Sequence, residues 1–359
     1  MLKIIFISLL PAGKLIFIVS GYYPHFTENV YSSFICKILG QIISRITGLF
    51  PFSLAEFVII VAAVFVIIYI IKTIFSIIKT RRKGKTIKKF ILNILAAGGI
   101  MYFSFLFLWG INYNRLTLSE VLDLNVESPT QQELNALCED LIRRSNSLRT
   151  RIDRNGGGVL RLPYDKTIAL KTAYKGFENI ALLHPNLDGK YGSPKGLMLS
   201  ELVCYTGITG FFFPFTGEAN VNMAIPDPFF PCTVTHEMAH QRGIAREDEA
   251  NYIAYLACIN HPDVYFQYSG TLMALNYSIG ALARSDRQKH DELMPTLSKG
   301  VINDLNFNKQ FWSRYSGLIE RASDKINDTY LKAQRQKKGV RSYGAVVDLL
   351  IAEYRKNKI

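Results

Sequence analysis

The longest apolar stretch of the sequence, residues 54–78, restricts the fold more than any other feature. Its central part, residues 57–71, carries no charged side chain. At 1.5 Å per residue in a helix, the stretch is long enough to cross about 30 Å of hydrocarbon. Ser53 and Glu56 have the spacing of a capping box, which predicts where this helix begins. The stretch is therefore predicted to be a transmembrane helix.

Two further apolar stretches, residues 4–20 and residues 90–109, are predicted to cross the membrane as well. The first is interrupted by Pro11 and Lys14, but no small-residue cleavage site follows it, which favours a transmembrane helix over a signal peptide. Trp109, at the end of the other, is typical of a membrane interface.

Residues 30–50 have a different pattern, with apolar side chains recurring at helical spacing and polar side chains such as Ser33 and Gln41 between them. Such a pattern predicts an amphipathic helix. It could lie on the membrane surface or pack against the other helices, and the sequence leaves both interpretations open.

The formal net charge of +13 is concentrated partly in residues 79–89, a basic segment without acidic residues between two predicted transmembrane helices. The positive-inside rule places this segment in the cytoplasm, and with it the amino terminus. Everything after Asn112 then lies on the outer face of the cell membrane. No recognition motif accompanies the charge, so we expect anionic membrane lipid, and not nucleic acid, as its partner.

The sequence thus predicts a multi-pass membrane protein with two parts. Residues 1–112 form a membrane region with about three transmembrane helices and one amphipathic helix. Residues 113–359 form a large extracytoplasmic domain with mixed patterning, and the fold class is mainly α (α+β). Thr130 and Glu133 have the spacing of a capping box, and residues 217–222 are predicted to be a strand. The five cysteines are widely separated and are interpreted as buried free thiols.

The motif that carries chemistry is His236-Glu237-Met238-Ala239-His240. Two histidines four residues apart project from the same face of a helix, so both imidazoles can bind one ion, and neutral imidazoles suit Zn²⁺. Glu237 cannot join them in line, but it can reach a water on the metal, where a general base is needed.

A tetrahedral catalytic zinc site needs one more protein ligand and one open position. Gly243 can end the motif helix, and residues 245–256 can return as a second helix whose first turn is acidic. From the residues alone, Glu247 and Glu249 are both candidates for the third ligand.

The motif and the returning helix resemble those of gluzincin-type metallopeptidases, in which a Glu from a following helix completes the zinc site. Residues 249–254 are similar to the Glu-Ala-Asn helix of some bacterial members. This resemblance implies a zincin-like fold with Glu249 as third ligand and Glu247 as the alternative, although the spacing from His240 is shorter than in most gluzincins. The metzincin alternative fails, because its third histidine would fall at Arg246, which cannot bind a metal.

The chain also resembles an uncharacterised bacterial family of membrane-anchored proteins of unknown function that carry this motif. That resemblance covers most of the chain and implies no particular substrate.

Weaker signals concern the substrate. Hydrolysis of a peptide requires a group that stabilises the developing oxyanion, and the candidates are Tyr330 and Tyr343. An extended peptide often pairs with the edge of a sheet, and residues 217–222 are the candidate strand.

These observations favour a membrane-anchored zinc-dependent peptidase that hydrolyses peptide bonds by metal-activated water, with Glu237 as general base. The expected partners are a peptide or protein substrate and membrane lipid, and Zn²⁺ is the only cofactor expected. The competing hypotheses are a non-catalytic zincin-like membrane sensor and a zinc-stabilised scaffold.

Overall fold

The computed structural model describes residues 2–127, 129–153, 156–334, 336, 339 and 344–356. It is 73% helical, which confirms the mainly α prediction. The helices of the amino-terminal part are α1 (Leu2–Ser20), α2 (Pro24–Phe26), a π-helix (Thr27–Cys36), α3 (Lys37–Thr47), α4 (Leu54–Lys79) and α5 (Lys83–Leu108). The helices that follow are a 3-10 turn (Gly110–Asn114), α6 (Leu118–Leu122), α7 (Gln131–Arg151), α8 (Lys166–Thr172), α9 (Tyr174–Ala181), a 3-10 turn (Pro185–Leu187), α10 (Ser200–Cys204), α11 (Phe230–Gln241), α12 (Glu247–Ile259), α13 (Val264–Ser285), α14 (Arg287–Leu293), a 3-10 turn (Met294–Thr296), α15 (Lys299–Ser313), α16 (Leu318–Ala333) and α17 (Val346–Lys356). The strands are β1 (Lys195–Gly196), β2 (Gly210–Phe213) and β3 (Glu218–Val221).

Three of the helices, α1, α4 and α5, are long and apolar enough to cross a membrane. They contain the first two stretches that the sequence singled out and the third as far as Leu108. α1 packs along α5 at backbone distance, since a Cβ atom added to Gly99 would lie 2.1 Å from the carbonyl oxygen of Phe6. Such a close approach of helix backbones is typical of helices that pack within membranes.

α4 stands apart from this pair over much of its length. Residues 57–68 are all exposed, and successive residues of a helix point in every direction around its axis. Near the other end of the helix, Tyr69 stacks on Phe90 of α5 with ring centroids 5.5 Å apart. The Tyr69 hydroxyl also accepts a hydrogen bond of 2.7 Å from the side chain of Asn93. Residues 80–82 join α4 to α5, so most of the basic segment 79–89 lies within helices.

The first turn of α4 is tied to the large domain. Ser53 accepts a hydrogen bond from the backbone N–H of Glu56, as predicted. The Glu56 carboxylate, however, does not return to Ser53; it accepts hydrogen bonds of 2.8 Å from the backbone N–H groups of Met198 and Leu199. Only half of the predicted capping box is therefore present, because the carboxylate instead binds a distant segment.

The predicted amphipathic helix corresponds to the π-helix and α3. Its polar side packs against the large domain, where Gln41 accepts a hydrogen bond of 2.8 Å from the backbone N–H of Lys190. Its apolar side stays exposed, at the residues Phe34, Ile38, Ile42 and Ile46. The helix therefore packs on the protein, as one of the two interpretations had it, and its exposed apolar face leaves contact with the membrane surface a prediction.

The large domain is built around α11, α12 and α13, with a small sheet on one side. The strand order is β1-β3-β2, with β3 parallel to β1 and antiparallel to β2. The predicted strand at residues 217–222 is confirmed as β3, but its proposed role at a sheet edge is wrong, since β3 is central and both of its edges are paired. Its side chains also bind the start of α4, because Glu218 accepts a hydrogen bond from the backbone N–H of Ala55.

Two local predictions for the large domain are confirmed. Thr130 and Glu133 form a reciprocal capping box at the start of α7. All five cysteines are free and buried.

Candidate metal centre

The motif helix α11 ends at a glycine, as the sequence predicted. Gly243 has a φ of +82°, a conformation that glycine adopts without strain. The N–H of Ile244 donates to the carbonyl of Ala239, which closes the helix end. This tight turn sends the chain back as α12, which packs against α11 with its first residue beside the histidines.

Three ligand atoms converge between the two helices. The Nε2 atoms of His236 and His240 each lie 3.3 Å from Oε2 of Glu247. All three atoms lie within 4.8 Å of one another. We call these residues the three-ligand cluster.

The spacing of the three-ligand cluster fits a zinc ion. Zinc bonds to nitrogen and oxygen are about 2.0–2.1 Å long, so neighbouring corners of a tetrahedron around zinc are about 3.3–3.4 Å apart. The two nitrogen–oxygen distances of 3.3 Å match that edge. Two imidazoles and one carboxylate are also the ligand set of many catalytic zinc sites, which keep the fourth position open.

The structure corrects the prediction that Glu249 is the third ligand. Its carboxylate accepts hydrogen bonds of 2.8 Å from the backbone N–H of Leu118 and from Arg246. Residues two apart on a helix point about 200° away from each other, so Glu247 and Glu249 cannot both face α11. Glu247, the alternative, takes the position beside the histidines.

The His240 ring is held in one orientation. Its Nδ1 lies 2.7 Å from the carbonyl oxygen of Ile244, so Nδ1 carries the proton and Nε2 is left to bind a cation. The indole N–H of Trp109 donates to the backbone carbonyl of His240 at 3.2 Å. Since Trp109 follows α5 directly, the end of a helix that is long and apolar enough to cross a membrane supports a residue of the cluster.

Within the three-ligand cluster, the carboxylate and the histidines shift each other's pKa values. Burial alone would raise the pKa of Glu247, but His240 and His236 outweigh it and hold that pKa at about 2. Burial alone would lower the pKa of His240, but the Glu247 carboxylate beside it raises that pKa to about 9. Without a metal, the cluster therefore keeps one positive charge on a histidine close to where a cation would lie.

Glu237 lies beside the cluster with a free acceptor. Its side chain is almost fully buried, and within the described part of the chain its Oε2 has no hydrogen-bond partner. Burial raises the pKa of Glu237 to about 7. A buried carboxylate with an unpaired oxygen and a pKa near neutrality can accept and return a proton at physiological pH.

A cleft of about 690 Å³ opens onto the cluster and Glu237. One wall comes from the end of α5, with Phe105 and Trp109, and another comes from β2. A third wall is α16, which contributes Tyr330, one of the two predicted oxyanion-stabilising tyrosines. The other, Tyr343, lies outside the described residues.

The Tyr330 hydroxyl is suited to donate a hydrogen bond. It lies 3.2 Å from the hydroxyl of Tyr113, and burial raises the pKa of Tyr330. The group therefore stays protonated at neutral pH.

Sequence reasoning missed two residues of the site. Tyr277 of α13 lines the cleft, and burial raises its pKa to about 12, so it too remains a hydrogen-bond donor. Gly210 of β2 allows the strand to pass over Glu237, since a Cβ atom there would lie 2.7 Å from Oε1 of Glu237. Neither carries a sequence signal, because each reaches the motif only through tertiary packing.

Comparison with known proteins gives one match. No curated protein and no solved structure matches this chain. Residues 31–351 match the family described as Protein of unknown function (DUF3810), a range that includes both α4 and α5 and nearly all of the large domain. The chain therefore belongs to the DUF3810 family.

Proposed function

We propose that this chain is a membrane-anchored zinc-dependent peptidase, with its large domain on the outer face of the cell membrane. The observation that carries the proposal is the convergence of His236, His240 and Glu247 at the spacing of a zinc tetrahedron, next to the unpaired carboxylate oxygen of Glu237. The exposed basic side chains of residues 79–89, where α4 ends and α5 begins, support this position of the large domain by the positive-inside rule.

A zinc ion held by the three-ligand cluster would supply a Lewis acid that polarises the scissile carbonyl and acidifies a water molecule. Glu237 would accept the proton of the attacking water. The same carboxyl group would then deliver this proton to the amine that leaves. Its burial and its unpaired oxygen suit both steps, because a general base must lie within reach of the proton that it takes and returns.

The edge strand β2 is suited to bind an extended peptide. It pairs with β3 on one side, and its residues Gly210, Phe211 and Phe212 line the cleft. A peptide that added to the other edge would gain main-chain hydrogen bonds and would run past Glu237. β2 thus takes the role that the sequence suggested for residues 217–222.

Two tyrosine hydroxyls could stabilise the oxyanion that forms when water attacks the carbonyl. Tyr330 and Tyr277 both line the cleft, on different helices, and burial keeps each of them protonated. A hydroxyl that donates to the developing charge is worth more in a site from which water is partly excluded.

The test compares the full-length chain with its Glu237→Gln variant, both purified in detergent and supplied with zinc. Unfolded β-casein serves as the substrate. We expect the variant to lose about 10²- to 10⁴-fold in rate, which is the range for removal of a general base. Its zinc content, measured by atomic absorption, should equal that of the wild type, because Glu237 is not among the three ligands.

The matched control is Glu201→Gln, a substitution of another glutamate that lies outside the cleft, on α10. It should leave both the rate and the zinc content unchanged. Zinc binding without cleavage in the wild type would overturn the peptidase and support a sensor or scaffold. Absence of bound zinc would overturn all three hypotheses.

A further inference from the structure

We infer that the cleft receives its substrate from the lipid side, through a gap between α4 and α5. The substrate class is then the membrane-adjacent segment of a polypeptide that itself spans the bilayer. This inference rests on the proposed peptidase function and adds the kind of protein on which it acts.

The gap follows from the exposure of α4. Residues 57–68 are exposed on all sides of the helix, so no other element covers the half of α4 nearest the large domain. The contacts of Tyr69 with α5 lie further along, toward the basic end. The two helices therefore meet away from the domain, and among the described residues nothing fills the space beside it.

The cleft lies above this space because one of its walls is attached to α4 and the opposite wall is formed by the end of α5. The start of α4 binds β3, through the hydrogen bond from Ala55 to Glu218, and β3 carries the wall strand β2. The end of α5 forms the opposite wall, with Phe105 and Trp109. β2 and the end of α5 also touch, since the ring centroids of Phe212 and Trp109 lie 5.7 Å apart. A chain that leaves the bilayer between α4 and α5 would thus enter the cleft beside this aromatic pair.

The surface of the large domain near the first turn of α4 is apolar. Glu56 fixes the backbone at Met198 and Leu199 to the first turn of α4, which is the membrane boundary of that helix. Met198 and Leu202 are each 63% exposed. Exposed apolar side chains grouped at a membrane boundary are typical of a surface that contacts lipid.

α16 closes the cleft from the side. It begins near α10, where Tyr205 packs against Tyr315 with ring centroids 5.1 Å apart. It reaches α5 at its other end, where Tyr330 packs against Phe105 at 6.3 Å. Ile326 between these ends is 72% exposed and lines the cleft, so this wall of the cleft also carries an exposed apolar side chain.

The amphipathic helix supports the same orientation. The exposed apolar face of α3 ends near the first turn of α4, since α3 ends at Thr47 and α4 begins at Leu54. Its polar face binds the large domain. The domain therefore rests on a surface whose outward side chains are apolar at both α3 and α10, as expected if it lies against the bilayer.

The first experiment uses the full-length chain in liposomes, with a β-casein segment as the substrate in three forms. One form is soluble, one is attached covalently to a maleimide lipid headgroup, and one is fused to a transmembrane helix of about 20 residues. Both anchored forms have spacers of about 5, 15 and 40 residues, where about ten extended residues cover roughly 33 Å.

We expect the helix-fused form to be cut fastest, with cleavage sites within about ten residues of the helix end at every spacer length. Both anchored forms gain effective concentration at the membrane, so the lipid-attached form controls for that gain. Equal rates for the two anchored forms, or cleavage sites that move outward with the spacer, would overturn the substrate class. If none of the three forms is cut, the peptidase proposal itself fails.

The second experiment does not depend on activity. A bimane fluorophore is attached to Leu202→Cys in liposomes that contain lipids with a doxyl quencher near the headgroup. The control is Arg287→Cys on the charged helix α14, where the arginine side chain is 70% exposed. The wild type measures background labelling, since its five cysteines are buried.

We expect strong quenching at residue 202 and little at residue 287. Equal quenching at the two positions would contradict contact between lipid and the domain surface at α10, on which the lipid-side route depends, and it would do so whether or not the protein cleaves casein.

Discussion

Two clusters of buried charge in the large domain differ in how their carboxylate oxygens are paired. In one, Asp304 accepts hydrogen bonds from Arg149 at 2.8 Å, from the Tyr268 hydroxyl at 2.7 Å and from the backbone N–H of Leu160 at 2.7 Å. The carboxylate thus has a partner from each of three segments. Such a cluster holds α7, α13 and α15 together and leaves no acceptor for a ligand.

The three-ligand cluster is the opposite case. Oε2 of Glu237 is buried without a hydrogen-bond partner in the described part of the chain, whereas Oε2 of Glu247 lies 3.3 Å from Nε2 of both histidines. A buried acceptor without a donor costs about 1–3 kcal/mol. An unpaired acceptor in a residue that lines a cleft therefore indicates a functional site better than buried charge does. Buried charge by itself indicates only that the packing is constrained.

The largest expected effect concerns the cluster around Asp304. Arg149→Met leaves the buried Asp304 carboxylate without its counter-charge, and loss of one partner of a buried ion pair costs about 3–5 kcal/mol. Thermal unfolding should show a clear fall in Tm, while zinc content stays unchanged. Arg143→Met, at a residue 79% exposed on the same helix, is the control and should leave Tm unchanged. A loss of zinc in Arg149→Met would show that the two clusters are not independent.

The second largest expected effect distinguishes Glu247 from Glu249 as the third zinc ligand. Glu247→Gln should weaken zinc binding by more than about 100-fold, the upper end of the loss found for residues that only support a ligand. Glu249→Gln should retain zinc and lower Tm, because its partners are Leu118 and Arg246. Titration with a fluorescent zinc chelator measures both affinities. The reverse pattern would restore Glu249 as the ligand.

The pH dependence should differ between the metal-free and the zinc-bound protein. A pKa of about 9 for His240 lies above the usual value, so the bound proton stabilises the metal-free fold below about pH 6.5, and this contribution is lost as the pH rises to 9. Zinc must displace that proton, so its affinity should rise about tenfold per pH unit below pH 9. Isothermal calorimetry in buffers of different ionisation enthalpy counts the released proton. Zinc binding without proton release at pH 7 would contradict this charge balance.

The smallest effect concerns the glycine above the general base. In Gly210→Ala the added Cβ would lie 2.7 Å from Oε1 of Glu237 and from the carbonyl oxygen of Asn220. Crowding of this kind costs about 1–3 kcal/mol, so we expect roughly a tenfold loss of rate with zinc retained. Gly98→Ala, where nothing lies within 4 Å of the added atom, should have no effect. Equal rates for the two variants would show that β2 does not position Glu237.

The sequence was most informative where the physical cause is local. The three apolar stretches were found because length and composition alone decide whether a helix can cross hydrocarbon. The capping box of Thr130 and Glu133 was found because both partners lie within one turn. The histidine pair was found because a spacing of four places two side chains on one face of a helix.

Prediction from the sequence failed where a side chain binds a partner that lies far away in the sequence. Glu56 was expected to cap its own helix and instead binds Met198 and Leu199. Residues 217–222 were expected at a sheet edge, but strand order depends on pairings that no local pattern encodes.

For this protein, the sequence by itself determined the three helices that are long and apolar enough to cross a membrane, the mainly α class and the motif of His236, Glu237 and His240. The tertiary structure alone decided which carboxylate joins the histidines, because the turn at Gly243 sets the rotation of α12 and only one of two glutamates 200° apart can face α11. It also decided that the first turn of α4 binds Glu218 and the backbone at Met198 and Leu199, since these contacts join segments more than a hundred residues apart.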